Sequence, residues 1–202
     1  MLRKAIYPHV ESLLNNIATN LGKQGFSPNQ LTLAGLTVNF LAGWIFAAGN
    51  FFLGGLFLLI ASLGDLLDGP LARVTKKTSN FGAFLDSTVD RYSDFFLFGG
   101  LALHFAKQDQ GGWFLICMGI IAGSFVTSYA KARAENFIER CDVGMVERAE
   151  RVIGLALAAW IPFLLPLILW ALLIGSNATA IERILYTQKK LSERTPSPAT
   201  PS

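Results

Sequence analysis

Residues 24–64 read QGFSPNQLTLAGLTVNFLAGWIFAAGNFFLGGLFLLIASLG, with no charged side chain from Gln24 to Gly64. A helix that crosses a bilayer needs about 20 predominantly apolar residues. The stretch is too long for one such helix. Gly49-Asn50 is its natural break, because glycine and asparagine favour turns. The reading is therefore two membrane helices joined by a tight turn, Leu31–Ala48 and Phe51 through Leu71.

The rest of the chain extends the pattern. Of 202 residues, 52% are hydrophobic and 15% charged, and mean hydropathy is +0.44. Soluble domains carry about 25% charged residues, so the composition excludes an ordinary soluble globule. It equally excludes general disorder, which needs low hydrophobicity. The polar loop Thr75–Asn80 leads to a third span, Phe81–Ala106, that carries Asp86, Asp90, Arg91 and Asp94. A fourth follows at Trp113–Asn136. Pro162 and Pro166 divide the last apolar run into a fifth span, Glu147–Ile161, and a sixth, Phe163–Leu185. The expected fold is all-α: a polytopic membrane protein of six transmembrane helices. In the first 22 or so residues, apolar positions recur at helical spacing among polar ones, as in an amphipathic helix lying on a membrane surface or, equally, an ordinary helix packed on the bundle. Three regions result: residues 1–29, an amphipathic juxtamembrane helix and linker; residues 30–190, the six-helix domain; and residues 191–202, a Pro/Ser-rich disordered tail.

Lysine and arginine set the orientation. With six spans both termini share a side, and that side carries nearly all the basic residues, from Arg3 and Lys4 to Lys189, Lys190 and Arg194. The opposite side holds only Lys107. Both termini are expected in the cytoplasm, at the cell membrane. The net charge of +3 then needs no nucleic acid partner. Cys117 and Cys141 have no metal or redox spacing and read as ordinary thiols.

Four aspartates stand out. Asp65 and Asp68 are i, i+3 and Asp86 and Asp90 are i, i+4, so each pair occupies one helix face. All lie near the cytoplasmic ends of spans two and three. A charge at the bilayer centre costs about 2.5–3.5 kcal/mol on insertion scales, and like charges repel, so the set needs positive charge among it. The loop Thr75–Asn80 turns the helices antiparallel, which is expected to converge all four carboxylates in one pocket. Hard oxygen donors suit Mg²⁺ or Mn²⁺, and four of them suit two divalent ions. Gly69, Ala72 and Gly82 leave room nearby, and Arg73 adds a fixed cation of the kind a phosphate group requires. Asp94, one turn past Asp90, is expected to pair with Arg91 or a neighbour.

Together these residues read D-L-L-D-G-P-L-A-R from Asp65 to Arg73, then Gly82, Asp86 and Asp90. The string resembles the signature of the CDP-alcohol phosphotransferases, D-x-x-D-G-x-x-A-R-x8-G-x3-D-x3-D, at all eight specified positions. The resemblance implies a six-helix membrane enzyme with a leading surface helix. Such an enzyme transfers the phosphatidyl group of a CDP-lipid, typically CDP-diacylglycerol, to an alcohol hydroxyl and releases CMP. It implies that Asp65, Asp68, Asp86 and Asp90 surround two Mg²⁺ or Mn²⁺ ions, with Asp90 as the catalytic base. It implies a nucleotide pocket of Gly69, Ala72, Arg73 and Gly82, and a homodimer. Pro28-Asn29-Gln30-Leu31-Thr32 resembles the family's P-N-x-L-T stretch. Asn29 and Thr32 are thus candidates for contacting the nucleotide, or alternatively for capping the first membrane helix.

A second cluster concerns the acceptor. Ser128-Tyr129-Ala130-Lys131-Ala132-Arg133-Ala134-Glu135 ends span four, and Gly144-Met145-Val146-Glu147-Arg148-Ala149-Glu150-Arg151 opens span five. Basic residues there would attract an acceptor that carries its own phosphate. The passage resembles the phosphatidylinositol phosphate synthases of the family, with S-Y-x-K-A-R-A-E followed by G-x-x-E-R-x-E-R. The resemblance implies that Ser128, Lys131 and Arg151, with Arg148 and Arg133, bind inositol 1-phosphate. Glycerol 3-phosphate is the alternative acceptor. From another class, a divalent cation transporter would also use intramembrane aspartates, but it predicts them near the midplane.

Overall fold

The structure, a computed structural model, describes residues 2–194, with side chains from residue 12 to residue 193. The described residues form seven α-helices and no strand: α1 (Leu2–Lys23), α2 (Pro28–Ala47), α3 (Phe51–Val74), α4 (Asn80–Lys107), α5 (Gly111–Ala134), α6 (Arg148–Trp160) and α7 (Leu165–Arg194), with a 3-10 turn at Pro162–Leu164 before α7. The two helices read from residues 24–64 break where expected: Gly49 adopts φ +84°, and Asn50 Oδ1 accepts from the Leu53 N–H at 3.1 Å. Ser27 caps α2 in a reciprocal pair with Gln30, accepting from its N–H at 3.3 Å while the Ser27 N–H donates to Gln30 Oε1 at 2.9 Å. Capping therefore falls to Ser27, and Asn29 and Thr32 are left for other work.

One boundary moves. Residues 191–194, expected in the tail, are helical, because α7 runs on to Arg194. Thr187–Arg194 holds mostly good helix formers and no proline, and Lys190 Nζ pairs with Glu193 Oε2 at 3.0 Å. The rest of that expected tail, residues 195–202, lies outside the described residues.

α2 packs along both α3 and α4; α5 joins α4 to α7, and α6 rests on α3. The α2–α4 crossing is backbone against backbone: a Cβ added at Gly100 would overlap the Gly43 carbonyl, and one at Gly43 would overlap the Phe96 carbonyl. The core between the helices contains Phe46, Leu58, Leu97, Phe98, Leu101, Ile120, Leu155 and Leu169, all almost fully buried. Large apolar side chains also cover the outside, among them Trp44, Leu115 and Phe163 at 70%, 67% and 79% exposure. Such an exterior is costly in water and neutral in lipid.

Four segments are long and apolar enough to cross a membrane: α2, α3, α5 and Pro162–Glu193. At 1.5 Å per residue, α4 with its 28 residues is also long enough, but it carries the acidic residues. α6, with 13 residues, reaches only about 20 Å of the roughly 30 Å hydrocarbon core. α1 packs on α3 at its C-terminal end. Ala18 is fully buried, and Gly22 lies so close to α3 that an added Cβ would sit 2.8 Å from the Thr75 methyl. Leu13 and Ile17, one turn apart, stay exposed.

Candidate active site

The acidic hairpin is built by local chemistry. α3 ends at Thr75, and Lys76 reverses the chain with φ +56°. Ser79 then caps α4 by accepting from the Gly82 N–H at 3.0 Å. Pro70 lies inside α3 and has no N–H for the carbonyl one turn earlier, which loosens the turn that presents Asp68 and Gly69. α2 packs on both arms of the hairpin, while the arms make few contacts with each other. Asp68 and Asp86 thus meet around the start of α2.

There they line a cavity of about 280 Å³ together with Asn29, Thr32, Gly69, Ala72, Arg73 and Gly82. Every residue expected for the nucleotide pocket is present. Thr32 Oγ1 lies 3.1 Å from Asp68 Oδ2 and also 3.1 Å from the Pro28 carbonyl, so its single proton can serve either acceptor. Lys77 and Ser79, which sequence reasoning missed, line the same space. With Arg73, Lys77 makes two cations against two carboxylates, an arrangement that can receive a phosphate-bearing ligand. Gly35, also missed, brings α2 against Asp65: an added Cβ would sit 2.9 Å from Asp65 Oδ1.

Asp65 and Asp90 are held differently. Arg148 spans them, with Nη2 donating to Asp65 Oδ2 at 2.7 Å and Nη1 at 2.7 Å from Asp90 Oδ1. The second contact lies outside hydrogen-bond geometry, and Asp90 Oδ1 is buried without a hydrogen-bond partner. The Arg148 guanidinium thus stands between Asp65 and Asp90. The four interact electrostatically, but among the described residues no three His, Cys, Asp or Glu side chains gather around one point as metal ligands. The physical reason is that a guanidinium takes the space between two of them. The donor chemistry still fits hard divalent ions: four carboxylates on adjacent helices, no imidazole or thiolate among them, and one carboxylate oxygen without a hydrogen bond.

Beyond Arg148 lies a second cavity, about 160 Å³, lined by Asp90, Arg91, Asp94, Thr127, Ser128, Lys131, Glu147, Arg148, Arg151 and Arg183. Four of the five expected acceptor residues are here. Arg133 is not. Two residues past Lys131, it lies about 200° around the helix, exposed, with its guanidinium 4.8 Å from the centre of the Phe137 ring. Lys131 Nζ donates to Asp142 Oδ1 at 3.0 Å, and this bond holds the Asp142 carboxyl below the usual carboxylate range.

Arg183 reads in the sequence only as one more basic residue near a helix end, yet it is 97% buried. It fastens the loop before α6 to the bundle, donating to the Val143 carbonyl and the Thr127 carbonyl, each at 2.9 Å, and to the Glu147 carboxylate. Asp94 pairs with a spatial neighbour rather than with Arg91. It binds Arg151, with Nε at 3.1 Å and Nη2 at 2.6 Å, both on Oδ2.

The lining of the second cavity holds five cations and three carboxylates. The excess of two positive charges matches a phosphomonoester near its dianionic form. Asp86 lines the first, nucleotide-sized cavity, and Asp90, one turn further along α4, lines the second, basic one.

A helical membrane protein with an acidic hairpin beside a basic cavity has the charge layout that transfer of a phosphate-bearing group would use. The chain belongs to the CDP-alcohol phosphatidyltransferase family, whose profile matches residues 26–182. It is 37% identical to archaetidylinositol phosphate synthase of Pyrococcus horikoshii, over 95% of this chain and 98% of that one. It is 36% identical to phosphatidylinositol phosphate synthase of Streptomyces avermitilis, over 96% and 85%. Among solved structures, it resembles Mycobacterium tuberculosis phosphatidylinositol phosphate synthase. The form with CDP-DAG bound superposes with TM-score 0.81 at 29% identity, covering 95% of this chain and 98% of that one. The form in complex with manganese and citrate gives 0.80 at 30% identity, covering 94% and 93%. The protein is thus a multi-pass membrane protein, as its apolar exterior requires.

Proposed function

We propose that the protein transfers the phosphatidyl group of CDP-diacylglycerol to the hydroxyl of inositol 1-phosphate, forming phosphatidylinositol phosphate and releasing CMP. The observation that carries this reading is that Asp86 lines one cavity and Asp90, one helical turn further along α4, lines the other, which supports a carboxylate where a donor phosphorus and an acceptor hydroxyl would meet. Relatives with phosphatidylinositol phosphate and archaetidylinositol phosphate synthase names support the acceptor. A transporter reading leaves the basic cavity without a purpose.

In this reading Asn29, Gly69, Ala72, Arg73 and Gly82 receive the nucleotide, and Arg73 and Lys77 offset diphosphate charge. Asp65, Asp68, Asp86 and Asp90 would hold two Mg²⁺ or Mn²⁺ ions, which supply positive charge to the diphosphate and to the departing CMP. Ser128, Lys131 and Arg151 hold the acceptor's phosphate, with Arg148 between the two substrates. Asp90 faces the acceptor side and takes the hydroxyl proton as the oxygen attacks phosphorus. Holding both substrates in neighbouring cavities along α4 converts a bimolecular encounter into a local step.

The basic residues, gathered at one end of the bundle, support a site on the cytoplasmic face of the cell membrane with six spans and both termini inside. The test is CMP release from CDP-diacylglycerol with Mg²⁺ or Mn²⁺, inositol 1-phosphate and glycerol 3-phosphate being offered side by side. Turnover with inositol 1-phosphate, abolished by excess chelator, is expected. Preference for glycerol 3-phosphate would reassign the acceptor, and chelator-resistant turnover would remove the metal-bound aspartates from the account.

A further inference from the structure

Asp94 is no part of the acidic signature, and Arg151 does not reach the four signature aspartates through any hydrogen bond. Yet the two form a closely fitted pair. Their side chains are each only 4% exposed. Both hydrogen bonds run from Nε and Nη2 of Arg151 to the same oxygen, Asp94 Oδ2. A guanidinium has five N–H donors in one plane, so anchoring its Nε side fixes where the remaining edge faces. That edge carries Nη1, which is buried with no hydrogen-bond partner, in a residue that lines the basic cavity.

A buried, charged donor without a partner is expensive. Such a group persists where a ligand completes it or where its surroundings over-determine it. Here the cavity beside it has two positive charges in excess, and Ser128 and Lys131 line the same space. A phosphate oxygen is the acceptor that fits. Asp94 does not serve in its place: its Oδ2 takes Nε and Nη2, and its Oδ1, also buried without a hydrogen-bond partner, makes no bond to Nη1.

We infer that Asp94 is a positioning residue for the acceptor's phosphate: it holds the Arg151 guanidinium so that the free Nη1 edge faces the basic cavity. This deepens, and rests on, the reading of that cavity as the phospho-alcohol site. Asp94 lies one helical turn beyond Asp90 on α4, so the same helix that carries the base sets the angle of the phosphate clamp. The distance between hydroxyl and phosphate in the acceptor is thereby matched to a spacing within one helix.

The test compares wild type with D94N, which keeps the shape and removes the charge, and with D94A, in detergent-purified protein. Size-exclusion behaviour and thermal melting show which variants are folded. KM is measured separately for inositol 1-phosphate and CDP-diacylglycerol through CMP release. Loss of a supporting partner of this kind costs about 10–100-fold. The expected result is a rise of about tenfold or more in KM for inositol 1-phosphate, with KM for CDP-diacylglycerol unchanged. D94N is expected to fall between wild type and D94A, and D94A in an R151A background is expected to add almost nothing to R151A alone. Equal rises in both KM values, no rise in either folded variant, or additive losses in the double variant would overturn the inference while leaving the proposed reaction intact. A wild-type protein that releases no CMP with any phospho-alcohol would overturn the reaction and the inference together.

Discussion

Asp90 lines the basic cavity one helical turn beyond Asp86, which lines the other, and its Oδ1 has no hydrogen-bond donor although Arg148 Nη1 is 2.7 Å away. A carboxylate so placed can accept a proton, whereas an amide of the same shape cannot. Asp90→Asn is expected to lower CMP release by about 10²–10⁴-fold, the usual worth of a general base, while CDP-diacylglycerol binding measured by calorimetry persists. Undiminished release by the variant would remove Asp90 as the base. Arg148 makes a complementary prediction. Its guanidinium competes for the space between Asp65 and Asp90, so Arg148→Ala should tighten Mn²⁺ binding, by about tenfold for one like charge withdrawn at contact distance, as read by electron paramagnetic resonance. Weaker binding in the variant would mean that Arg148 organises the carboxylates for the ion rather than competing with it. At this scale the sequence was legible where residues act through local spacing, as with Asp65, Asp68, Asp86 and Asp90. The bond from Arg148 to Asp65 spans 83 positions, and no periodicity connects residues so far apart.

The helices were the most legible level, because hydropathy and turn residues are local properties. Gly49-Asn50, Thr75–Asn80 and Pro162 all divide the chain where the structure does. The wedge of α2 between α3 and α4 was not legible, since its cause lies in which helices have small residues at matching depths. Gly43 and Gly100 are that cause. Without a side chain at either position the α2 and α4 backbones touch, and Asn39 on α2 can donate to Ser93 on α4 at 3.1 Å within the buried interface. The crossing in turn keeps the start of α2, with Thr32, against Asp68. Gly100→Ala is expected to force the helices apart and to cost about 1–3 kcal/mol, the range for overpacking a filled interior, read as a lower Tm in detergent. It should also reduce activity at temperatures where the variant is still folded, because the nucleotide cavity has walls from both helices. An unchanged Tm would mean that the crossing relaxes without cost.

At the scale of the whole molecule, α6 is the anomaly in a six-span account. It is too short to cross a bilayer alone, yet the arginines it begins with belong to the site. A short span is tolerable when its polar end is meant to lie deep. Arg148 and Arg151 then sit below the level of the other helix ends, facing protein instead of lipid, and the bond of Arg183 to the Val143 carbonyl ties the loop before them to α7. This geometry requires the loop at residues 135–147 and the loop at residues 108–110 to lie on opposite faces of the membrane, and the proposed orientation makes the first cytoplasmic. Both ends can be labelled. A side chain added at Gly112 would meet nothing within 4 Å, and Glu139 is exposed. The native Cys117 and Cys141 are buried and unpaired, so they contribute little background. In intact bacterial cells, a membrane-impermeant maleimide is expected to label Gly112→Cys and to leave Glu139→Cys untouched until the cells are opened. The reverse pattern would invert the protein and put the site outside. Labelling of both in intact cells would place the two loops on one face, and α5, the helix that joins them, could then not be a single crossing.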